Sequence, residues 1–290
     1  MKMVEWVVHD TIFRDIMIVG EIVNKEPIRI GRGKTLDPTA LTDLKVLTII
    51  RNGKVEPYIP GSSLKGVFRS TAESIARIHT IPVCEISPTK ICGGLRKKDL
   101  ERAMKENNRG KLIEIVNSFC IICKIFGSAS YKSHVDFYDA YVQGPFKLSV
   151  KTGIAINRRT GAVVPRALYN VEYVEPGARF GFMLTATNLP NYALGLISHV
   201  IDYINAGIVK IGGFKSRGFG AVNININKIV INGPMGIVNG KLVALDENDT
   251  EIGLNVSGTI SSPQQIRDFL NAVKKAWENY VAKVKSGGGK

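Results

Sequence analysis

The stretch that most restricts how this chain can fold is EPYIPGSSLKGVFR, which runs from Glu56 to Arg69. Its first part has the character of an extended segment, and Pro60 with Gly61 ends that segment because neither residue continues a strand well. Apolar side chains then recur at intervals of three and four residues from Leu64 onward, which is the spacing of one helix face. The stretch therefore predicts a strand, a sharp turn and an amphipathic helix that packs on a core.

The first turn of that helix has the composition of an anion site. We expect Ser62 or Ser63 to cap the helix by accepting a backbone N–H, and Lys65 and Arg69 lie four residues apart on one flank. Their charges would add to the free amides and the positive dipole end of the helix, which together favour a phosphate. The alternative is a capped helix with two solvated bases, because short motifs often match by chance.

The charge of the whole chain favours the same kind of ligand. The 290 residues carry a formal net charge of +14, and a surplus of this size favours a polyanionic partner, nucleic acid first. The bases are spread along the chain, which predicts a long footprint and not a single basic tail. They are Arg29, Arg32, Lys34, Lys45, Lys65, Arg69, the run from Lys90 to Lys111, Arg158, Arg159, Arg166, Lys215 and Arg217.

The distribution of apolar residues predicts a folded protein outside the membrane. With 44% hydrophobic residues, the chain can bury a full core in one elaborated domain or two small ones. No charged-then-apolar leader is recognisable, and no apolar run reaches the roughly 18 residues that a membrane helix needs. We therefore expect a cytoplasmic protein without a membrane partner.

The four cysteines all lie between positions 84 and 123. Cys120 and Cys123 form a Cys-x2-Cys turn, a good half-site for zinc, whereas the seven-residue gap between Cys84 and Cys92 is looser than usual. Two helical patterns between Lys98 and Phe119 could bring the two pairs together. Four thiolates match the tetrahedral coordination of a structural zinc ion, and the alternative is four small buried residues.

The rest of the chain alternates between strand and helix patterns. With the helix after Gly61, the order is strand, helix, strand, strand, helix, strand, which predicts an α+β, ferredoxin-like sheet backed by two helices. A long loop and a short hairpin at Asn52-Gly53 precede the first helix. The predicted strands are Asp15 to Ile30, Ser133 to Gln143, Glu172 to Thr187 and a strand-turn-strand over Ile208 to Ile226; Tyr192 to Asn205 is the second helix, Lys151 to Val171 is a separate hairpin, and Ser262 to Lys285 is a closing helix.

Two stretches resemble signatures of the RAMP superfamily, the RNA-binding proteins of CRISPR effector complexes. IPGSSLKG followed by Arg69 is similar to the family's first-helix signature, and GFKSRGFG, from Gly213 to Gly220, is similar to its glycine-rich loop. KIFGSAS after Cys123 resembles a third segment of the family. The resemblance implies an RRM-like domain over residues 1–231, with a helical insertion at about 80–130 that could bind zinc and a β-hairpin thumb at about 150–172. Residues 232–290 would add short strands and the closing helix to the same body.

The resemblance also implies a set of functional residues. Asp43 occupies the place of an aspartate that supports target cleavage in backbone subunits of type III complexes, whereas Asp37 precedes a proline and is typical of a turn. A carboxylate there would activate a ribose 2′-hydroxyl or hold a divalent ion, Mg²⁺ or Mn²⁺. The RNA-binding residues would be Arg32, Ser62, Ser63, Lys65, Arg69, Arg158, Arg159, Lys215, Ser216 and Arg217, and the zinc ligands Cys84, Cys92, Cys120 and Cys123.

The function implied by the resemblance is that of a Csm- or Cmr-type backbone subunit, of the Cas-seven group, in a type III CRISPR effector complex. Such a subunit binds guide RNA, polymerises with further copies of itself beside other effector subunits, and acts in antiviral defence as a metal-dependent endoribonuclease on paired target RNA. A non-catalytic RNA scaffold of the same fold is the alternative. A stand-alone guide-processing nuclease is disfavoured because none of the four histidines lies in the basic loops, and a serine acyl-enzyme is disfavoured because no S-D-N element accompanies Ser62 and Lys65.

Overall fold

The computed structural model describes residues 5–31, 44–87, 89–254 and 258–287. The strands are β1 (Asp15–Asn24), β2 (Thr48–Arg51), β3 (Lys54–Ile59), β4 (Val135–Phe137), β5 (Ala140–Gln143), β6 (Leu148–Ile156), β7 (Val163–Val174), β8 (Arg179–Thr187), β9 (Val222–Asn232), β10 (Ile237–Val238), β11 (Lys241–Leu242), β12 (Ile252–Gly253) and β13 (Thr259–Ile260). The helices are α1 (Gly61–Ile78), α2 (Cys92–Leu95), α3 (Lys97–Lys105), α4 (Arg109–Asn117), α5 (Ile121–Phe126), α6 (Asn191–Asn205) and α7 (Pro263–Gly287).

The main sheet has the strand order of a ferredoxin-like fold. Strand β1 lies in the middle and pairs antiparallel with β8 on one side and β9 on the other. Strands β4 and β5 pair with the far edge of β8, and helices α1 and α6 pack on the sheet and on each other. Every second side chain of β1 and β8 is buried, as expected for a sheet with one covered face. The predicted α+β, RRM-like fold is confirmed.

One predicted strand is interrupted where helix α1 begins. The stretch from Ser133 to Gln143 forms β4 and β5, separated at Tyr138 and Asp139. At this break the Cα of Gly61 approaches the sheet so closely that a Cβ would fall on the carbonyl oxygen of Phe137. Strand pairing therefore gives way to the helix start, and only glycine fits at its first position.

Three other predicted strands have different bounds. The first strand ends at Asn24 and not at Ile30. Residues 172–174 belong to the thumb strand β7 and not to the third sheet strand, because Gly177, with a φ of 95°, turns the chain before β8. Residues 208–221 contain no strand in this described part of the chain and include a 3-10 turn, Lys215–Arg217. The hairpin prediction at Asn52-Gly53 is confirmed, with positive φ at both residues.

The insertion and the C-terminal elements pack around this sheet. Helices α2 to α5 occupy the insertion, and Phe119, Ile121 and Ile122 are buried there. The closing helix α7 lies along α6 and also contacts β9. A Cβ on Gly195 of α6 would fall on the carbonyl oxygen of Val273 of α7, so these two helices approach at a glycine. None of the helices in the described ranges is long and apolar enough to cross a membrane.

Candidate nucleic-acid interface and metal centre

Helix α1 is capped by Asp139, in the break between β4 and β5, and not by its own serines. Pro60 occupies the N-cap position without a side-chain hydrogen bond, and the amide of Gly61 donates to Oδ1 of Asp139 at 2.8 Å. The prediction that Ser62 or Ser63 caps the helix is therefore wrong, because both residues lie inside its first turn. Ser62 is exposed and Ser63 half-buried.

Lys65 and Arg69 follow on the same helix, but their surroundings differ. Lys65 is half-buried, and burial lowers its pKa while the carboxylate of Asp136 opposes that shift. Arg69 is only 16% exposed. Its guanidinium donates to Oε1 of Glu73 at 3.1 Å and to the carbonyl oxygen of Gly127 at 2.8 Å. Of the two bases, Arg69 is therefore the one bound to several protein groups.

The third contact of Arg69 leads into the cysteine cluster. Its Nη2 donates to Sγ of Cys123 at 3.5 Å, across 54 residues of sequence. The guanidinium thus joins the first helix to the insertion. The prediction that Arg69 contacts RNA stays a prediction, and each of its three guanidinium nitrogens has a protein partner.

The four cysteines form one cluster, as a zinc site requires. Their sulfur atoms all lie within 4.8 Å of one another, and none is in a disulfide. Zinc–sulfur bonds of about 2.3 Å in a tetrahedron place sulfur atoms roughly 3.8 Å apart. Cys84 Sγ lies 3.3 Å from Cys123 Sγ and 3.7 Å from Cys120 Sγ. The donor set and its spacing therefore fit a structural zinc ion.

The surroundings of the cluster shift the pKa values of its thiols in opposite directions, and the hydrogen bond with Cys120, together with burial, raises the pKa of Cys123. The hydrogen bond from the Cys123 thiol lowers the pKa of Cys120 to about 4, whereas burial raises the pKa of Cys92 to about 11. The amide of Cys120 donates to Sγ of Cys92 at 3.4 Å. Lys124 is also near; burial lowers its pKa, and the charges of Asp246, Cys120 and Cys92 oppose that shift. A zinc ion with four thiolates carries two negative charges, which Arg69 and Lys124 would balance.

The glycine-rich loop between α6 and β9 projects its bases into solvent. Lys215, Ser216 and Arg217 are all exposed, and Phe214 and Gly218 on either side have left-handed backbone conformations, with φ of 58° and 79°. A backbone hydrogen bond holds the loop against the segment after β1, because the amide of Gly213 donates to the carbonyl oxygen of Arg29 at 2.9 Å. Three polar donors are therefore presented on a supported turn.

Arg29 connects this loop to the segment that follows residue 43. Its guanidinium donates to the carbonyl oxygens of Leu44 and Lys45, both at 3.4 Å, and lies 5.7 Å from the ring centre of Phe214. Burial lowers the pKa of Arg29, and the charge of Glu172 opposes that shift. Arg29 is thus a support for the interface, with most of its surface covered.

The thumb is a two-stranded hairpin of β6 and β7 with a basic tip. At the tip, Oδ1 of Asn157 accepts the amide of Arg159 at 2.9 Å, and both Arg158 and Arg159 are exposed. At the thumb base, residues 169–174 of β7, the amide of Leu44 donates to the carbonyl oxygen of Asn170, and the amide of Glu172 donates to that of Leu44. The chain that follows residue 43 therefore begins its described course against the thumb base.

The predicted site residues fall into separate groups. Asp43 and Arg32 lie outside the described residues. The start of α1 contacts Phe137 and Asp139, whereas the glycine-rich loop contacts Arg29 and the thumb base, so the two motifs have different neighbours. The four cysteines come together as predicted.

Comparison with known protein families identifies the chain. A family model described as the RAMP superfamily matches residues 21–223, which is more than half of the sequence. The chain belongs to the RAMP superfamily. A search of curated proteins found no match. RAMP proteins bind RNA and form CRISPR-associated effector complexes of several subunits, and membership indicates a role of that kind.

Several residues of this RAMP protein were not singled out from the sequence. Tyr169 and Tyr173 of the thumb base meet Phe214 and Phe219 of the glycine-rich loop, with ring centres 5.6 to 6.3 Å apart in successive pairs. Lys151 lies over the ring of Phe219 at 5.6 Å. Aromatic residues on both sides of the basic turn were a signal for this cluster, but their partners in the thumb are distant in sequence.

Proposed function

We propose that this RAMP protein is a guide-RNA-binding backbone subunit of a type III CRISPR interference complex. The observation that carries the proposal is the meeting of three segments in one corner of the fold, where the glycine-rich loop exposes Lys215 and Arg217. The glycine-rich loop, the thumb base and the chain after residue 43 are joined there by Arg29, Leu44 and Glu172. A rigid corner with exposed lysine and arginine suits a nucleic-acid backbone.

The start of helix α1 would supply a further phosphate contact. Lys65 and the exposed Ser62 lie in its first turns, where helix amides and the dipole favour an anion. The basic thumb tip would lie between guide and target and displace a base, with Arg158 and Arg159 pairing with the strand. Repeated copies would bind successive stretches of guide through head-to-tail contacts, which generate an open filament.

We further propose that the subunit cuts the paired target RNA at Asp43. The carboxylate of Asp43 would accept the proton of the adjacent ribose 2′-hydroxyl, and the 2′-oxygen would attack the phosphorus. The bond to the 5′-oxygen would break and that oxygen would take a proton from water, leaving a cyclic phosphate and a 5′-hydroxyl. A divalent ion, Mg²⁺ or Mn²⁺, would polarise the phosphate. Leu44, the neighbour of Asp43, is hydrogen-bonded to the thumb base. This contact supports the proposal that the segment lies beside the bound RNA strand.

The test compares wild type with Asp43→Ala, each assembled with guide RNA and presented with labelled complementary target. We expect the variant to bind guide and target as wild type does and to lose cleavage, because only the carboxylate is removed. Asp37→Ala, in the same loop, is the matched control and should cleave normally. Normal cleavage by Asp43→Ala would refute the catalytic assignment.

The second candidate is a non-catalytic RNA scaffold with the same interface. The contacts of this corner would serve a cleaving subunit and a non-catalytic scaffold alike. With respect to RNA binding, they therefore support both candidates equally. A scaffold would bind guide and target without cutting, in wild type as in the variant, and added Mg²⁺ or Mn²⁺ would change nothing. Cleavage by the assembled wild type that requires the ion would exclude it.

A further inference from the structure

A cavity of about 160 Å³ lies between the thumb base and the glycine-rich loop. Its walls are the rings of Tyr169, Phe214 and Phe219 with the side chain of Val171, and Lys151 and Arg217 also line it. None of these described lining residues is acidic. An aromatic cavity with two cations selects for a flat ring that carries, or adjoins, a negative charge.

The backbone conformation of Phe214 indicates that its aromatic ring has a function. Its φ of 58° is left-handed, a conformation that strains any residue with a Cβ and that glycine adopts freely. The same region of the chain uses glycine at three other positions of positive φ, Gly212, Gly218 and Gly220. Glycine would therefore adopt the backbone conformation of position 214 without strain. The phenyl ring is the feature that phenylalanine supplies there and glycine does not.

The two cations hold the aromatic rings in place. The guanidinium of Arg217 lies 5.3 Å from the ring centre of Phe214 and donates to the hydroxyl of Tyr169 at 2.6 Å. Tyr169 and Phe214 are nearly parallel, with 22° between their planes. On the opposite wall the ammonium of Lys151 covers Phe219. The rings and the charges therefore form one preorganised surface, which reduces the ordering cost of binding.

We propose that this cavity, the base pocket, holds one unstacked base of bound single-stranded RNA. A cavity of about 150 Å³ accommodates benzene, so the base pocket has room for a single ring system and not for a stacked pair. The base stacks on the aromatic walls, and the adjoining phosphates pair with Arg217 and Lys151. The proposal rests on the RNA-binding function and adds to it a nucleotide position at the root of the thumb.

The main test uses Phe214→Leu in the full chain. Leucine keeps an apolar side chain and the same backbone demand but removes the ring. We expect about tenfold weaker binding of a labelled single-stranded RNA, since loss of one stacking ring has an effect of that order. Tyr138→Leu is the matched control, because Tyr138 is 44% exposed in the break between β4 and β5. It should bind as wild type does.

A second measurement needs no variant. Wild-type protein bound to RNA that contains 4-thiouridine is irradiated, and the cross-linked peptides are identified by mass spectrometry. Cross-links at Tyr169 or within residues 214–219 are expected. Cross-links confined to other peptides, or equal RNA affinity of Phe214→Leu and wild type, would refute the proposal that the base pocket holds a base. Either result would leave the proposed RNA-binding function unaffected. Failure of the wild type to bind single-stranded RNA would refute the proposed function as well.

Discussion

Among single residues, Arg69 has contacts that differ most from those expected of an RNA ligand. Its guanidinium bonds Glu73, the carbonyl oxygen of Gly127 and the sulfur of Cys123. A hydrogen bond to a thiolate ligand orients the sulfur and stabilises its charge. We therefore expect Arg69 to position Cys123 when the cysteine cluster holds a zinc ion, whatever its relation to RNA.

Replacing Arg69 by Gln should weaken zinc binding by about 10- to 100-fold, because ligand-orienting partners contribute on that scale. The measurement is competition for Zn²⁺ with a chromogenic chelator, using the purified protein. Lys65→Gln removes a positive charge from the same helix face without a contact to the cysteines, and its zinc affinity should not change. Equal zinc affinity in Arg69→Gln and Lys65→Gln would contradict this role.

Part of this arrangement could be predicted from the sequence. The spacing of Cys120 and Cys123, with two more cysteines nearby, predicted a metal centre, and the four sulfur atoms do come together. The spacing of Arg69 and Glu73 by four residues was a signal for an ion pair on one helix. The contact of Arg69 with Cys123 could not be predicted, because it depends on how the insertion folds back over the helix.

Among the elements, helices α6 and α7 contribute the tightest helix contact. Gly195 lets the two backbones approach, since a Cβ there would meet Cβ of Trp277 at 2.9 Å and fall on the carbonyl oxygen of Val273. Trp277 is fully buried in the same contact. Close packing at a buried glycine leaves little room for relaxation.

Replacing Gly195 by Ala should lower the free energy of unfolding by about 1–3 kcal/mol, the usual cost of overpacking a core. Gly66→Ala in α1 is the matched control, because a Cβ at Gly66 meets nothing within 4 Å. That change should raise the free energy of unfolding by about 0.5–1 kcal/mol, since glycine is a poor helix former. Urea denaturation measures both, and a stabilised Gly195→Ala variant would show that the two helices separate easily.

The element bounds show where sequence patterns stop being informative. Alternation over residues 172–187 predicted one strand, but Glu172 and Val174 extend the thumb while Arg179 begins β8. Both strands alternate, so periodicity alone could not show which partner each half pairs with. The break at Tyr138 and Asp139 was equally hidden, because it is caused by a helix from another part of the chain.

For the whole molecule, the distribution of charge is the property most relevant to binding. The net charge of +14 attracts nucleic acid in general, whereas Arg158 and Arg159 concentrate charge at the tip of a protruding hairpin. Each phosphate contact of a single strand lowers the slope of log affinity against log salt by about 0.7. Salt dependence can therefore separate local contacts from the general field.

The double variant Arg158→Ala/Arg159→Ala should reduce the magnitude of that slope for single-stranded RNA by about 1.4, because two phosphate contacts are lost. Binding is measured by fluorescence anisotropy over a range of salt concentrations. Lys275→Ala/Lys285→Ala removes two exposed charges from α7 and should change the slope much less. Equal changes in both pairs would indicate that the thumb tip makes no specific contact.

The fold of the whole molecule was largely predictable, but its functional corner was not. The order of strands and helices, with two family-like motifs, was enough to predict the ferredoxin-like topology that β1, β8 and β9 adopt. The cluster of Tyr169, Phe214 and Phe219 depends on how the thumb base meets the loop, which is a non-local contact. Residues from distant segments meet there only after the sheet has formed.

The hydrogen bond from Gly61 to Asp139 separates two roles that residues at a helix start often combine, capping the helix and contacting a ligand. Because Asp139 accepts the amide of Gly61, Ser62 and Ser63 are not needed to cap the first turn. Neither serine hydroxyl is hydrogen-bonded within the described ranges. Evolution can therefore exchange these side chains to suit a new strand without loosening the helix. Asp139 lies elsewhere in the chain, so a substitution at Ser62 or Ser63 leaves the residue that fastens the helix unchanged.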